Sequence, residues 1–261
     1  KLINQNYKSN QIQIEDFGNI TLYKKLKKIK KKKLVYYKKI IKLLNSIQKI
    51  KTRKIKTFLG SNYMVPKYSK KILLDEARLF LDWYVPKKIK KNNQNLLKKR
   101  LLLVLKILIR KIKLRNKTFV HRDFHVSNLM IQNKKLCVID SQDAVFGNIA
   151  YDVASLIDDV RLKTSIEFKR ILLEEYIKTN KKINVKNFKN DFEILSVLRN
   201  LKIIGIFTRL SIRDKKDSYL KLIPYAWKLI EQRIDKDKKF IELKIILDKY
   251  FSKKTRNKYE N

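Results

Sequence analysis

FVHRDFHVSNLMIQNKKLCVIDSQD, residues 119–143, holds both histidines of the chain, His121 and His125, and its one cysteine, Cys137. A short apolar entry, Thr118-Phe119-Val120, leads into His121-Arg122-Asp123, and Asn128 follows five residues after the aspartate. An apolar run over 136–139 reads as a strand that delivers Asp140 at its end. Asp123 and Asn128 on a loop and Asp140 at a strand end form a spaced set of carboxylate, amide and carboxylate. Such a set suits phosphoryl transfer. One carboxylate orients the attacking hydroxyl, while the amide and the second carboxylate hold Mg²⁺ on the phosphates of a nucleotide such as ATP.

Asp123 alone would read as a turn residue, because aspartate is common in turns. Its spacing to Asn128 and Asp140 matches a kinase catalytic loop followed by a metal-binding aspartate, and this decides for chemistry. Asp123 is then the catalytic carboxylate, with Asn128 and Asp140 as metal ligands. His121 props the loop by packing and hydrogen bonding. Arg122 pairs with a carboxylate or a phosphate. His125 faces either the acceptor or solvent. Asp143 reads as a turn cap, and Asp152 as a structural anchor at a helix start, where a carboxylate suits the dipole. Glu76, Arg78, Asp82, Trp83 and Tyr84 fit an ordinary amphipathic helix.

The formal net charge is +41. Charge of that size fits a polyanionic partner, nucleic acid or a membrane surface. Lysine far outnumbers arginine, however, and Ile and Asn are heavily used along the whole chain. That composition is read as codon bias, so neither a nucleic-acid nor a membrane partner is expected. One cysteine excludes an internal disulfide framework and a cysteine-rich zinc site. The apolar run 101–109 is broken by Lys106 and falls short of the roughly 20 residues needed to span a bilayer. With no secretory signal in the polar N-terminus, the expected location is cytoplasmic.

Along the chain, QIQIE at 11–15 alternates as a strand and Asp16-Phe17-Gly18 turns it. The basic run 24–33 reads as a solvated helix face or linker. Helices are expected over 34–50, over 69–84 with Pro86 as the stop, and over 95–114. The stretch 52–67 reads as loop. Beyond the central segment, helices are expected over 149–160, 165–179, 189–209, 214–233 and 239–250. The fold class is a mostly helical α+β domain with a few short strands around the central loop. The four glycines, Gly18, Gly60, Gly147 and Gly205, are far apart, so neither a GxGxxG nor a Walker A loop is present.

HRDFHVSNLM (121–130), VIDSQDAVFGNIAYDVASL (138–156) and NLKIIGIFTRL (200–210) resemble the aminoglycoside phosphotransferase/choline kinase superfamily. The nearest branch by resemblance is the bacterial sugar kinases that phosphorylate the anomeric hydroxyl of N-acetylmuramate and N-acetylglucosamine. IEDFG (14–18), LLDEARLFLDWY (73–84) and YLKLIPYAWKLI (219–230) agree, so the likeness runs from about Ile12 to Trp227. The resemblance implies a protein-kinase-like fold, mostly its helical C-terminal lobe, using ATP and Mg²⁺. It implies Asp123 as catalytic base and Asn128 and Asp140 as metal ligands. It implies a hinge at Ile14, Glu15 and Asp16 whose backbone holds the nucleotide, and Glu76 as a sugar contact.

Ser141 stands where the family usually has Phe. Only about a dozen residues precede IEDFG, where the family carries an N-terminal lobe. Residues 1–18 are therefore read as a remnant of that lobe with the hinge, and 19–261 as the phosphotransferase lobe. The full-length protein is expected to be a monomeric small-molecule kinase, and this chain alone to be inactive. A catalytically incomplete binding module and a basic nucleic-acid binder are the alternative readings.

Overall fold

A computed structural model describes residues 2–6, 8–29, 31–57, 60–132 and 135–257. Its spine is α8 (Val185–Asp214), a helix of 30 residues. A helix that is apolar on nearly all sides belongs in the interior of a bundle. The middle of α8 fits this, with Ile194, Leu195, Val197, Leu198 and Leu201 all buried. Packed on it are α3 (Lys70–Leu79), α6 (Ala150–Ile157) and α9 (Ile223–Ile234).

One glycine sets how closely α3 can approach. A Cβ at Gly205 would overlap the carbonyl of Leu79 and the N–H of Phe80. At that crossing the rod leaves α-helical pitch and runs as a π-helical turn, Phe80–Tyr84. It continues as α4 (Val85–Lys88), so Pro86 does not stop it. The widened turn just before Pro86 accommodates the ring, and the missing N–H falls in the first turn of the new segment, where no bond is required. Phe80, Tyr84, Trp227 and Phe251 pack there as an aromatic cluster with centroids 5.1 to 5.9 Å apart.

The strands form four two-stranded ladders among the described residues. The first is a hairpin of β1 (Leu2–Asn6) and β2 (Gln11–Ile14), the strand expected from QIQIE. β3 (Lys54–Lys56) and β4 (Asn62–Met64) pair inside the stretch read as loop. Both are fully exposed, so no buried face imprints an alternation on the sequence. β5 (Thr118–Val120) pairs with β8 (Val145–Gly147), and β6 (Leu129–Gln132) with β7 (Lys135–Val138).

The basic run is part helix face, over 24–28, and part connection to the next helix. In α1 (Leu22–Lys28) only Leu22 and Leu26 are buried and the lysines turn outward, with Lys30 outside the described residues. The expected helices 34–50, 95–114, 165–179 and 239–250 appear as α2 (Lys33–Gln48), α5 (Lys91–Arg110), α7 (Ile166–Thr179) and α10 (Ile241–Tyr250). The expected helix over 214–233 is instead the end of α8, a left-handed Lys215, a 3-10 turn Asp217–Leu222 and then α9. Pro224 in the first turn of α9 marks a helix start, and periodicity alone does not register it.

Replacing Gly205 by alanine improves helix propensity yet forces Cβ into the Leu79–Phe80 backbone. The expected result is a net loss of about 1–3 kcal/mol, read from urea unfolding midpoints.

Candidate active site

The site begins where β5 runs out. Val120 is buried, and the next two backbone N–H groups, of His121 and Arg122, donate to Asp152 Oδ2 (2.7 Å) and Oδ1 (3.1 Å). Asp152 is completely buried in the first turn of α6. Just past these two donors the chain turns sharply, with Arg122 at a φ of 72°, the left-handed region. For a residue with a Cβ this costs about 1–3 kcal/mol. Burial pushes the Asp152 carboxyl up to about 7, and the two N–H donors pull against that shift. His121 is buried as well, and its Nε2 meets the Ile139 carbonyl at 2.9 Å, tying the loop to the end of β7.

The left-handed turn separates two side chains. Arg122 turns inward to Glu76, and its Nη1 donates to the Asp143 carbonyl (3.2 Å). Asp123 turns into a cleft of about 410 Å³. Burial raises the Asp123 carboxyl, but Lys202, Arg199, His125 and Arg122 together hold it below the usual carboxylate value. The Asp123 carbonyl accepts from the His125 N–H (3.0 Å) and from Asn128 Nδ2 (3.1 Å). The Asn128 amide is thereby oriented, leaving its oxygen for another partner.

β-pairing joins Asn128 to Asp140. Leu129 lies opposite Val138, and the Ile139 N–H donates to the Asn128 carbonyl (3.1 Å). Asp140, the next residue, is also left-handed, with φ 62°, and its exposed carboxylate lines the same cleft. Asp123, Asn128 and Asp140 thus share one wall. Among the described residues no three His, Cys, Asp or Glu side chains converge to hold a metal unaided. Asn128 and Asp140 offer oxygen donors only, which suits a hard cation completed by phosphate oxygens and water.

The remaining expected residues divide. His125 is buried and lines the cleft, so it does not face bulk solvent; burial, with Arg161 and Arg199, pushes its imidazole down to about 4. Asp143 sits in the turn closed by the Ala144 N–H on the Ser141 carbonyl (3.1 Å). Glu76 does not open onto the cleft as a sugar contact would. Its carboxylate is drawn inward by four donors, Arg122, Lys202 (2.9 Å), Tyr68 and Tyr151 (3.3 Å). Burial raises the Glu76 carboxyl, and Lys202 and the hydrogen bonds bring it below its ordinary value.

Ile14, Glu15 and Asp16 lie outside the cleft, at the end of β2 and the turn after it. Gln132 Nε2 donates to the Asp16 carbonyl (2.8 Å), and the Ile131 N–H to the Ile20 carbonyl (3.1 Å), so this segment runs along β6. Sequence reading missed Arg199 and Lys202, which bring two cations from α8 to the cleft. Their only signal is a pair of basic residues three apart in the apolar middle of the helix, 194–208. A larger hollow of about 820 Å³ lies between the 163–166 turn and α9, but it has no loop carboxylate beside an oriented amide. Asp123, Asn128 and Asp140 come together only in the smaller of these two hollows.

Residues 34–183, more than half of the chain, match the model of a phosphotransferase enzyme family. The chain belongs to that family. An N-acetylmuramate/N-acetylglucosamine kinase of Neisseria meningitidis is 34% identical over 62% of the chain and 50% of the relative. One of Pseudomonas aeruginosa is 28% identical over 69% of the chain and 55% of the relative. The chain thus spans about half the length of the curated relatives it matches. Among solved structures, an ethanolamine kinase of Plasmodium vivax superposes with a TM-score of 0.53 at 14% identity, over 85% of the chain and 63% of that structure. That likeness gives this phosphotransferase-family chain a kinase-like fold.

His125 makes stability depend on pH. Its folded value of about 4 lies below the ordinary 6.5, so the unfolded chain binds the extra proton between those values. Its contribution is present above pH 6.5 and is lost as pH falls toward 4. Between pH 7 and 4.5 the wild type should lose about 2 kcal/mol more than His125→Asn in paired urea titrations.

Proposed function

We propose that the chain is the acceptor-side lobe of an ATP-dependent kinase that phosphorylates a hydroxyl of a small amino sugar. The observation that carries this reading is the convergence of Asp123, Asn128 and Asp140 on one cleft wall. The relatives' names favour N-acetylmuramate or N-acetylglucosamine as acceptor, and the family resemblance favours attack by the anomeric hydroxyl. Residues 19–261 are the phosphotransferase lobe in this reading. Residues 1–18 end in the hinge, where the backbone at Ile14, Glu15 and Asp16 would lie along the nucleotide. The protein would act in the cytoplasm as a monomer. In support of a protein that does not cross the bilayer, no helix among the described residues is long and apolar enough to span it.

In the reaction the acceptor oxygen bonds to the γ-phosphorus, the bond from that phosphorus to the bridging oxygen breaks, and ADP leaves. The hydroxyl proton passes to Asp123 as the new bond forms. A carboxylate held below its ordinary pKa is a weak base, so its contribution is chiefly to orient the hydroxyl. A loose transition state asks for little more. Asn128 and Asp140 would hold Mg²⁺, which neutralises charge on the phosphates. Glu76 and Asp152 act through others: Glu76 anchors Arg122 and Lys202, and Asp152 sets the loop backbone.

Asp123→Asn keeps shape and volume and removes the charge. In the full-length protein it should lower turnover about 10²–10⁴-fold, measured as ADP release with an amino sugar, while the unfolding curve keeps its cooperativity. Undiminished turnover would overturn the assignment.

A further inference from the structure

One group in the cleft touches nothing in the chemistry above. Arg199, on α8, is 4% exposed, and its Nη1 has no hydrogen-bond partner. Buried cations elsewhere are paired: Lys169 and Arg233 on Asp158, Lys202 on Glu76, Arg256 on Asp248. Arg199 makes neither an ion pair nor a hydrogen bond among the described residues. The carboxylates of Asp123 and Asp159 are near enough for its charge to act on them, yet neither closes on it, and a buried guanidinium with an unused donor is costly unless a ligand completes it. His125 Nδ1, buried beside the same space, is likewise unpartnered.

The charge of Arg199 acts on Asp123, His125, Asp152 and Asp159, all on the loop and α6 side of the cleft. Arg161 joins Arg199 in the cleft lining. The rest of the wall is apolar and aromatic. Ile203, Ile206 and Phe207 line it, and the Phe207 ring lies 5.2 Å from that of Tyr219. A sugar ring can lay its apolar face on such a wall while a charged substituent reaches the guanidinium.

We infer that Arg199 is a specificity-determining residue that binds a carboxylate on the acceptor, so that the cleft selects an acidic amino sugar over its neutral counterpart. The inference rests on the sugar-kinase reading and deepens it. Near Asp123 an acceptor carboxylate would be repelled, and the planar fork of Arg199 supplies the offsetting bidentate contact.

The test is calorimetric titration of the chain with N-acetylmuramate and with N-acetylglucosamine, which lacks the lactyl carboxylate. Wild type, Arg199→Gln and Arg199→Lys are compared, with Mg²⁺–ATP titrated in parallel. Wild type should bind the acidic sugar at least about tenfold more tightly, the scale of a charge-assisted hydrogen bond. Arg199→Gln should erase the difference, and Arg199→Lys should keep part of it. Equal affinity of the wild type for both sugars overturns the clamp and leaves the sugar reading standing. Unchanged sugar discrimination in Arg199→Gln with weakened Mg²⁺–ATP binding assigns the guanidinium to phosphate and overturns the clamp. Binding of neither sugar by the wild type overturns the sugar reading and the clamp together. Should Arg199→Gln lose its thermal transition, Arg161→Gln, whose side chain is 25% exposed, takes its place, with a smaller loss of discrimination expected and no loss counting against the clamp.

Discussion

The geometry of the site depends on one carboxylate that water does not reach. Asp152 accepts two consecutive backbone N–H groups and so fixes the peptide planes on either side of His121. Directly after those donors the loop turns left-handed at Arg122. That turn sends Arg122 into the interior and Asp123 into the cleft. Strain in the backbone is tolerated because hydrogen bonds to a buried, otherwise unsatisfied carboxylate are worth more than the conformation costs. Asp140, the second left-handed residue of the site, stands where β7 has ended and no further ladder bonds constrain it.

A second hub sits behind the first. Glu76 joins α3, the loop and α8 by accepting from Arg122, Lys202, Tyr68 and Tyr151. Removing Glu76 would leave two cations facing each other out of water, which is how a residue outside the cleft comes to govern it. The same logic separates the cations of this chain into kinds. Most lysines are solvated and carry the net charge of +41 without structural duty. A few are buried against carboxylates. Arg199 is buried with no carboxylate in ion-pair contact, although its charge reaches Asp123 and Asp159.

Much of the site could be read from residues 119–143, because its spacing is local. The loop places Asp123 and Asn128 by sequence distance alone, and a short hairpin returns the chain to Asp140. The helical α+β class was equally legible, since apolar periodicity over 34–50 and 165–179 corresponds to real buried faces. What could not be read were facts of tertiary contact. Glu76 shows helical spacing that suits an exposed or a buried carboxylate alike, and only the approach of α8 decides. Arg199 and Lys202 lie some eighty residues beyond the loop, in the apolar middle of a helix with other basic residues toward both ends, so the pair looks incidental. The β3–β4 hairpin lacks a buried face, and Pro86 is accommodated by a π-helical turn that no residue pattern announces.

α8 performs two duties on different sides. Arg199, Lys202, Ile203, Ile206, Phe207 and Leu210 recur at three- and four-residue intervals and form one stripe facing the cleft. Gly205, which admits α3, projects from a different side of the same cylinder. Constraint and novelty are therefore physically separated within a single helix. Changes along the stripe can retune which molecule is accepted while the glycine crossing keeps the scaffold, so this helix is a place where a lineage can diversify its substrates without first losing its fold.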